Sequence, residues 1–292
     1  MSDLLQVCVN GVVAGAVIAL VAVGYSLVYG VLRFVNFAFG EVLTGAAYLF
    51  YVGRVLLGLD VWLVGGVSVL LVAVLGALIQ YGAYRPLYRR SRLGCLVTAL
   101  GVSLVLQNAI LLLAGAGPRT LRGHVANDRF TLAGVVVTHA QVTILVTALL
   151  LLGVSEVVVY HSSLGLRVRA VADDLPMAEI LGVKVDRTIL GVFALGSAMA
   201  AGAGVLLSLE HLLKPTMGTA PAMQAFAACV VGRIGSLRGA VGMAFFVALV
   251  THLCIYRWPQ LTPETVASAL LLAVLAGLPE GLSMPGMQRR GA

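Results

Sequence analysis

Apolar residues along this chain gather into nine blocks, at roughly 4–32, 37–53, 61–84, 93–115, 140–160, 188–209, 217–232, 239–256 and 264–279. Most are long enough to cross about 30 Å of hydrocarbon as a helix of about 20 residues. Two are weaker. The second opens at Asn36 and holds Glu41, and the seventh carries Pro215, Gly218 and Pro221 at its start. The pattern predicts an all-α polytopic integral membrane protein of about eight or nine segments, one or two of them short or re-entrant. Broken segments are tolerated only where they face protein or a water-filled path.

The interval Ser163–Arg187 breaks the pattern most sharply. It holds Arg167, Arg169, Asp173, Asp174, Glu179, Lys184, Asp186 and Arg187, four acids against four bases. Val168, Val171, Leu175 and Ala178 recur at helical spacing inside it, which predicts two short amphipathic helices over 164–182. Asp173 or Asp174 can cap the second, Pro176 falls in its first turn, and Gly182 can end it. An apolar ridge with a charged rim is predicted to sit in the groove of a partner protein. The balanced charge disfavours the other reading, a helix lying flat on anionic lipid.

Composition agrees with the pattern. The chain is 60% hydrophobic and 11% charged, with a mean hydropathy of +1.03. Its 292 residues are spent on spans, so we expect a single membrane domain over 1–292, with a polar loop at 161–187 and an external loop at 116–139. The net charge of +7 does not point to nucleic acid, because the basic residues sit in short loops between apolar blocks. The two lysines, Lys184 and Lys214, lie in no GxxxxGK[ST] pattern, so no phosphate-binding loop is present. Cys8, Cys95, Cys229 and Cys254 are far apart and form no CxxC pair. The N-terminal MSDLLQ lacks the cationic region of a cleavable signal, so the first block is expected to be a retained span.

Lys and Arg positions set the expected orientation. Arg33, the Tyr84–Arg92 loop, the 161–187 loop, Arg233–Arg238 and the C-terminal tail hold most of the 19 basic residues. The positive-inside rule puts them in the cytoplasm, with the N-terminus outside and the C-terminus inside. Arg54, Arg119, Arg122, Arg129, Lys214 and Arg257 fall on the other side.

Candidate chemistry is sparse. Gly11, Gly15 and Ala19, and again Gly196, Ala200 and Gly204, share helix faces and predict close packing. Glu41, with Asn36 and Phe39, is either part of a pathway or gate, or an interfacial carboxylate paired with Arg33. Gln107 and Asn108, in the fourth block, are expected to bond across helices, with pathway lining as the second reading. Phe226 is a further pathway candidate, and AFAACVVGRIGSLRGA (225–240) predicts a membrane segment ending in a sharp turn. The five histidines are scattered and form no HExxH or triad pattern, so neither catalysis nor a metal centre is expected.

GLRVRAVADDLPMAEILGVKVDR resembles the cytoplasmic loop of ABC-importer permeases of the branched-chain amino-acid type, the LivH-like group. The match falls on Leu164, Gly165, Arg169, Ala170, Asp174, Ala178, Leu181, Gly182 and Val185. GYSLVYGVLRFVNFAFGE (24–41), YRPLYRRSRLGCLVTALGVSLVLQN (84–108) and 225–240 agree in order, and the resemblance runs from about residue 10 to about 282. It implies a permease subunit of an importer in the bacterial inner membrane. Gly165, Arg167, Arg169, Ala170, Asp173, Asp174, Ala178, Leu181 and Gly182 would then couple it to separate ATPase subunits. ATP and Mg would sit on those subunits, with no cofactor on this chain. A second permease chain, alike or paralogous, and a solute-binding protein would complete the assembly. Phe39 and Glu41 depart from the family pattern, as does Arg233, which stands where a glycine is usual, and Leu278–Leu282 lacks the usual arginine. Branched-chain or other small amino acids, amides and urea remain open as solutes, and a stand-alone secondary transporter or channel is the alternative class.

Overall fold

The computed structural model describes residues 2–121, 129–132, 135–233 and 235–277. The chain runs as α1 (Ser2–Leu32), α2 (Phe39–Tyr51), α3 (Val61–Ile79), α4 (Arg92–Ala114), β1 (Arg129–Leu132), β2 (Val135–Thr138), α5 (His139–His161), α6 (Ser163–Asp173), α7 (Leu175–Ile180), α8 (Val185–Ser208), α9 (Thr219–Val231), α10 (Leu237–Arg257) and α11 (Pro263–Gly277). Short π-helical tails, Val52–Leu56 and Gln80–Tyr84, extend α2 and α3. Among the described residues, six helices are long and apolar enough to span a membrane.

The core forms around α1, because small residues there let neighbours approach closely. A Cβ on Gly15 would sit 2.7 Å from the Phe245 ring on α10, and one on Gly24 would sit 2.8 Å from the Gly196 carbonyl oxygen on α8. Gly204 and Gly76 let α2 and α3 close on α8 in the same way, against Leu43 and Ser197. The small-residue faces therefore do what their spacing predicts. About two-thirds of α1's most apolar stretch is buried, 67%, against 6% for α4. The outer helix α4 rests mainly on α2 and the end of α3.

The two weak segments resolve differently. α2 and its π tail together cover Phe39–Leu56, 18 residues, about 27 Å at helical rise. That approaches the length of a span, although this stretch is not among the six long apolar helices. α9 has only 13 residues, about 20 Å. Its N-cap, Gly218, is buried against the first turns of α2, and its backbone N–H donates to Thr44 Oγ1 at 3.1 Å. Residues 209–218 therefore descend into the bundle before α9 starts, and the seventh segment is the one that is broken.

A β-hairpin interrupts the all-α reading. β1 and β2 pair antiparallel, Arg129 opposite Thr138 and Leu132 opposite Val135. The β-branched run Val135–Thr138 favours extended backbone. Gln6 on α1 clips its edge, accepting from Val136 N–H at 2.9 Å and donating to Val136 C=O at 3.0 Å. A capping box between Thr138 and Gln141 then opens α5. Residues 122–128 of the predicted external loop, and Leu278–Leu282 with the rest of the tail, lie outside the described residues.

Two ends of the bundle follow. Arg85 and Arg89 meet Asp186 and Glu179 at one end. Arg119 pairs with the Leu213 backbone at the other. Arg85 and Arg89 thus fall at one end and Arg119 at the other, as the sequence divides them.

Candidate functional site: the clasped helix pair at the basic end

α6 and α7 form the corner that the sequence predicts. Ser162 Oγ accepts from Gly165 N–H at 3.1 Å and starts α6. Asp174 Oδ1 accepts from Met177 N–H at 2.9 Å and starts α7, with Pro176 in the first turn. Gly182 ends it at φ +83°, a conformation that glycine adopts without steric cost.

The ridge points the other way from expectation. Val168, Val171 and Ala178 are buried in this chain's own core, at 5%, 2% and 2% exposure. They cannot sit in a partner's groove. The helix pair must pack on the bundle, and its most regular apolar face does that packing. Gly165 belongs to the same inner face, because a Cβ there would collide with the Val159 carbonyl at the end of α5. What faces outward is Leu166, Met177, Ile180 and Leu181, with Ile180 79% and Leu181 74% exposed. Arg167, Arg169, Asp173, Asp174 and Gly182 surround this patch on the exposed side, and Ala170 is half-buried.

A clasp holds the pair. Asp186, at the start of α8, accepts from Arg85 at 2.9 Å and from Tyr88, and Arg89 lies 3.5 Å away. Arg89 also reaches Glu179 on α7 at 3.2 Å. Burial and the Asp186 carboxylate push the Tyr88 phenol above its ordinary pKa, so it stays protonated and donates. The same carboxylate raises Arg85, and Tyr88 with Glu179 raises Arg89. On the far side, Arg238 pairs with Glu156 at 2.7 Å, and Arg238 and Arg169 both stack over Tyr160. The Tyr84–Arg92 loop, read from sequence as an orientation marker, is thus also an electrostatic latch. Its partner Asp186 lies about a hundred residues on, so no spacing rule reveals it.

The pathway candidates divide. Phe39 and Phe226 come together through Tyr25, with ring centroids 4.9 Å and 6.1 Å from it. Asn36 belongs instead to a buried bond with Tyr84. Glu41 is not paired with Arg33. Arg33 is exposed, and the buried Glu41 carboxyl lies instead beside the Ser103 side chain of α4. Asn108 does not bond across helices. Its amide donates to Leu104 C=O on its own helix at 2.8 Å, and Gln107 is half-buried beside it on α4. Tyr25, Tyr88 and Asp186 were not singled out by the sequence.

The model of one family, described as branched-chain amino acid transport system / permease component, matches residues 7–277. The chain belongs to that family. A high-affinity branched-chain amino acid transport system permease protein of Pseudomonas aeruginosa, BraD, is 33% identical over 95% of both chains. Its counterpart LivH of Escherichia coli is 35% identical over 95% of this chain and 94% of that one. Among solved structures, a metal-chelate type ABC transporter in an inward-facing conformation matches with a TM-score of 0.52 over 94% of this chain and 86% of that one, at 16% identity. PsaBC from Streptococcus pneumoniae, in complex with Fab, matches with a TM-score of 0.51 at 12% identity, over 91% of this chain and 90% of that one. At those identities the likeness is one of fold. This permease is therefore a multi-pass membrane protein built as ABC transporter membrane subunits are.

Proposed function

We propose that this permease is the membrane-spanning subunit of an ATP-binding cassette importer for branched-chain amino acids. Separate ATPase subunits, carrying ATP and Mg, dock on α6–α7, and this chain binds no cofactor of its own. A solute-binding protein delivers substrate at the end that holds Arg119, and a second permease subunit completes the pathway. The basic end faces the cytoplasm of a bacterial inner membrane, with the N-terminus outside and the C-terminus inside.

The observation that carries the reading is the exposed patch of Leu166, Met177, Ile180 and Leu181. Four large apolar side chains on a charged, latched helix pair suit a protein groove. Closure of the ATPases would move α6–α7, and the Asp186 clasp would pass that motion to α3 and α8.

The test is leucine uptake into proteoliposomes holding the permease, its ATPases and its binding protein. Uptake should require ATP. The double variant Ile180→Asp, Leu181→Asp should insert and fold, yet lose stimulated hydrolysis and uptake. ATP-independent flux through the permease alone would overturn the importer reading, and transport of amides or urea in place of leucine would overturn the substrate.

A further inference from the structure

A cavity of about 650 Å³ lies within this single chain, at the end opposite the helix pair. It sits between α1, α5, α9 and α10, beneath the descending segment 209–218. Its size falls in the usual range for small-molecule sites, about 300–1,000 Å³.

Its lining is sorted by chemistry. Val17, Ile18, Ile144, Leu207 and Met217 supply an apolar wall. Glu210 and Lys214, both on the descending segment, supply one carboxylate and one ammonium. Glu210 is positioned. Gln141, itself buried, donates to Glu210 Oε1 at 3.0 Å and to Asn10 Oδ1 at 3.3 Å. Thr251 also borders the cavity, but at 1% exposure its hydroxyl is sealed from it. His252 Nδ1 lies 2.9 Å from Ala248 C=O, which can only accept, so Nε2 is the ring atom left for a ligand.

A ligand of one charge would satisfy Glu210 or Lys214 and repel the other. An uncharged apolar ligand would cover both charged groups without pairing either, at a cost. A molecule with an ammonium and a carboxylate on one carbon, and an aliphatic side chain, complements all three features. We propose that this cavity binds such a zwitterion, with its ammonium at Glu210, its carboxylate at Lys214, and its side chain on the apolar wall. The ligand class rests on the amino-acid reading above. The inference adds that the site is built inside one permease chain, one per chain, rather than between two.

The full-length permease in nanodiscs, without binding protein or ATPase, should bind radiolabelled leucine saturably at one per chain. Leucinamide, which lacks the carboxylate, and 4-methylpentanoate, which lacks the ammonium, should each compete at least about tenfold more weakly, the loss expected of one charged contact. Glu210→Gln should weaken binding by a similar factor. Absence of saturable binding, equal competition by the three compounds, or unchanged affinity in Glu210→Gln would overturn the site. Should Glu210→Gln fail to insert, the competition series on the unaltered chain still decides. Leucine uptake by the complete transporter without binding by this chain sinks the site alone. Absence of any branched-chain amino acid uptake sinks the functional reading.

Discussion

Tyr84 Oη donates a hydrogen bond to Asn36 Oδ1 at 2.8 Å, with both side chains buried. The same oxygen accepts from Ala38 N–H at 3.1 Å, so one side chain fixes the entry to α2 and ties it to the end of α3. Tyr84→Phe leaves Asn36 with its backbone bond and should cost about 1 kcal/mol. Asn36→Leu orphans a buried hydroxyl and a backbone N–H together and should cost about 1–3 kcal/mol for each. Thermal unfolding in detergent should rank the two variants in that order. Equal losses would show that the shared oxygen is not the organising contact.

The clasp separates coupling from stability. Arg85 and Asp186 are 43% and 38% exposed, and such pairs contribute about 0–1 kcal/mol. Asp186→Asn should therefore melt close to the parent while uptake per ATP hydrolysed falls severalfold. High salt should mimic the variant, because charges this exposed are screened over about 3 Å at 1 M. An unfolding shift as large as the coupling loss would refute the latch.

Close packing on α8 makes a third prediction. A Cβ on Gly204 would stand 2.9 Å from the Leu43 carbonyl carbon, on rigid backbone. Gly204→Ala should cost about 1–3 kcal/mol through forced separation of α2 and α8. Gly153 on α5 has nothing within 4 Å of such a position, so Gly153→Ala should be neutral, or stabilising by up to about 1 kcal/mol. Inactivation half-lives of the two variants at one temperature compare them directly.

Arg233 holds φ at +71° between α9 and α10. This is the position where the resemblance leads one to expect glycine. A side chain there costs roughly 1–2 kcal/mol, offset in part by glycine's greater freedom when unfolded. Arg233→Gly should raise stability by about 1 kcal/mol, read as a higher melting temperature. A lower melting temperature would mean that the guanidinium makes contacts worth more than the strain.

Outward and inward faces of α6–α7 give the fifth. Val168→Asp puts a charge at 5% exposure and should abolish folded protein, since buried charges without partners are strongly destabilising. Ile180→Asp changes an exposed side chain and should leave yield and melting within about 0.5 kcal/mol of the parent. Fluorescence-detected gel filtration reports both. Comparable yields would contradict the assignment of faces.

Much of the α6–α7 corner was legible because its chemistry is local. Asp174, Pro176 and Gly182 act within a few residues of themselves, so their roles are visible in a linear string. The direction of the ridge was not legible. Amphipathic spacing shows that Val168, Val171 and Ala178 share a face, and only neighbours in space reveal what that face meets. The neighbours of the polar residues inside the apolar runs were not legible for a related reason. Glu41 and Asn108 are polar residues in apolar runs, yet one faces Ser103 on another helix and the other bonds its own backbone.

The sequence by itself determined the membrane class, the order of the apolar segments, the division of basic residues between two ends, and the helix corner. Each depends on length, composition or capping within one stretch. Tertiary structure decided that α1 is the core and α4 the periphery, that α9 is the short, broken segment, that Asp186 latches Arg85, and that Glu210 and Lys214 line one cavity. The reason lies in the solvent. In water an apolar face marks the inside, but in a bilayer the outside is apolar too. α1 and α4 are both apolar along their length, and only the small residues of α1, fitted against Phe245 and Gly196, bring its neighbours close enough to bury it.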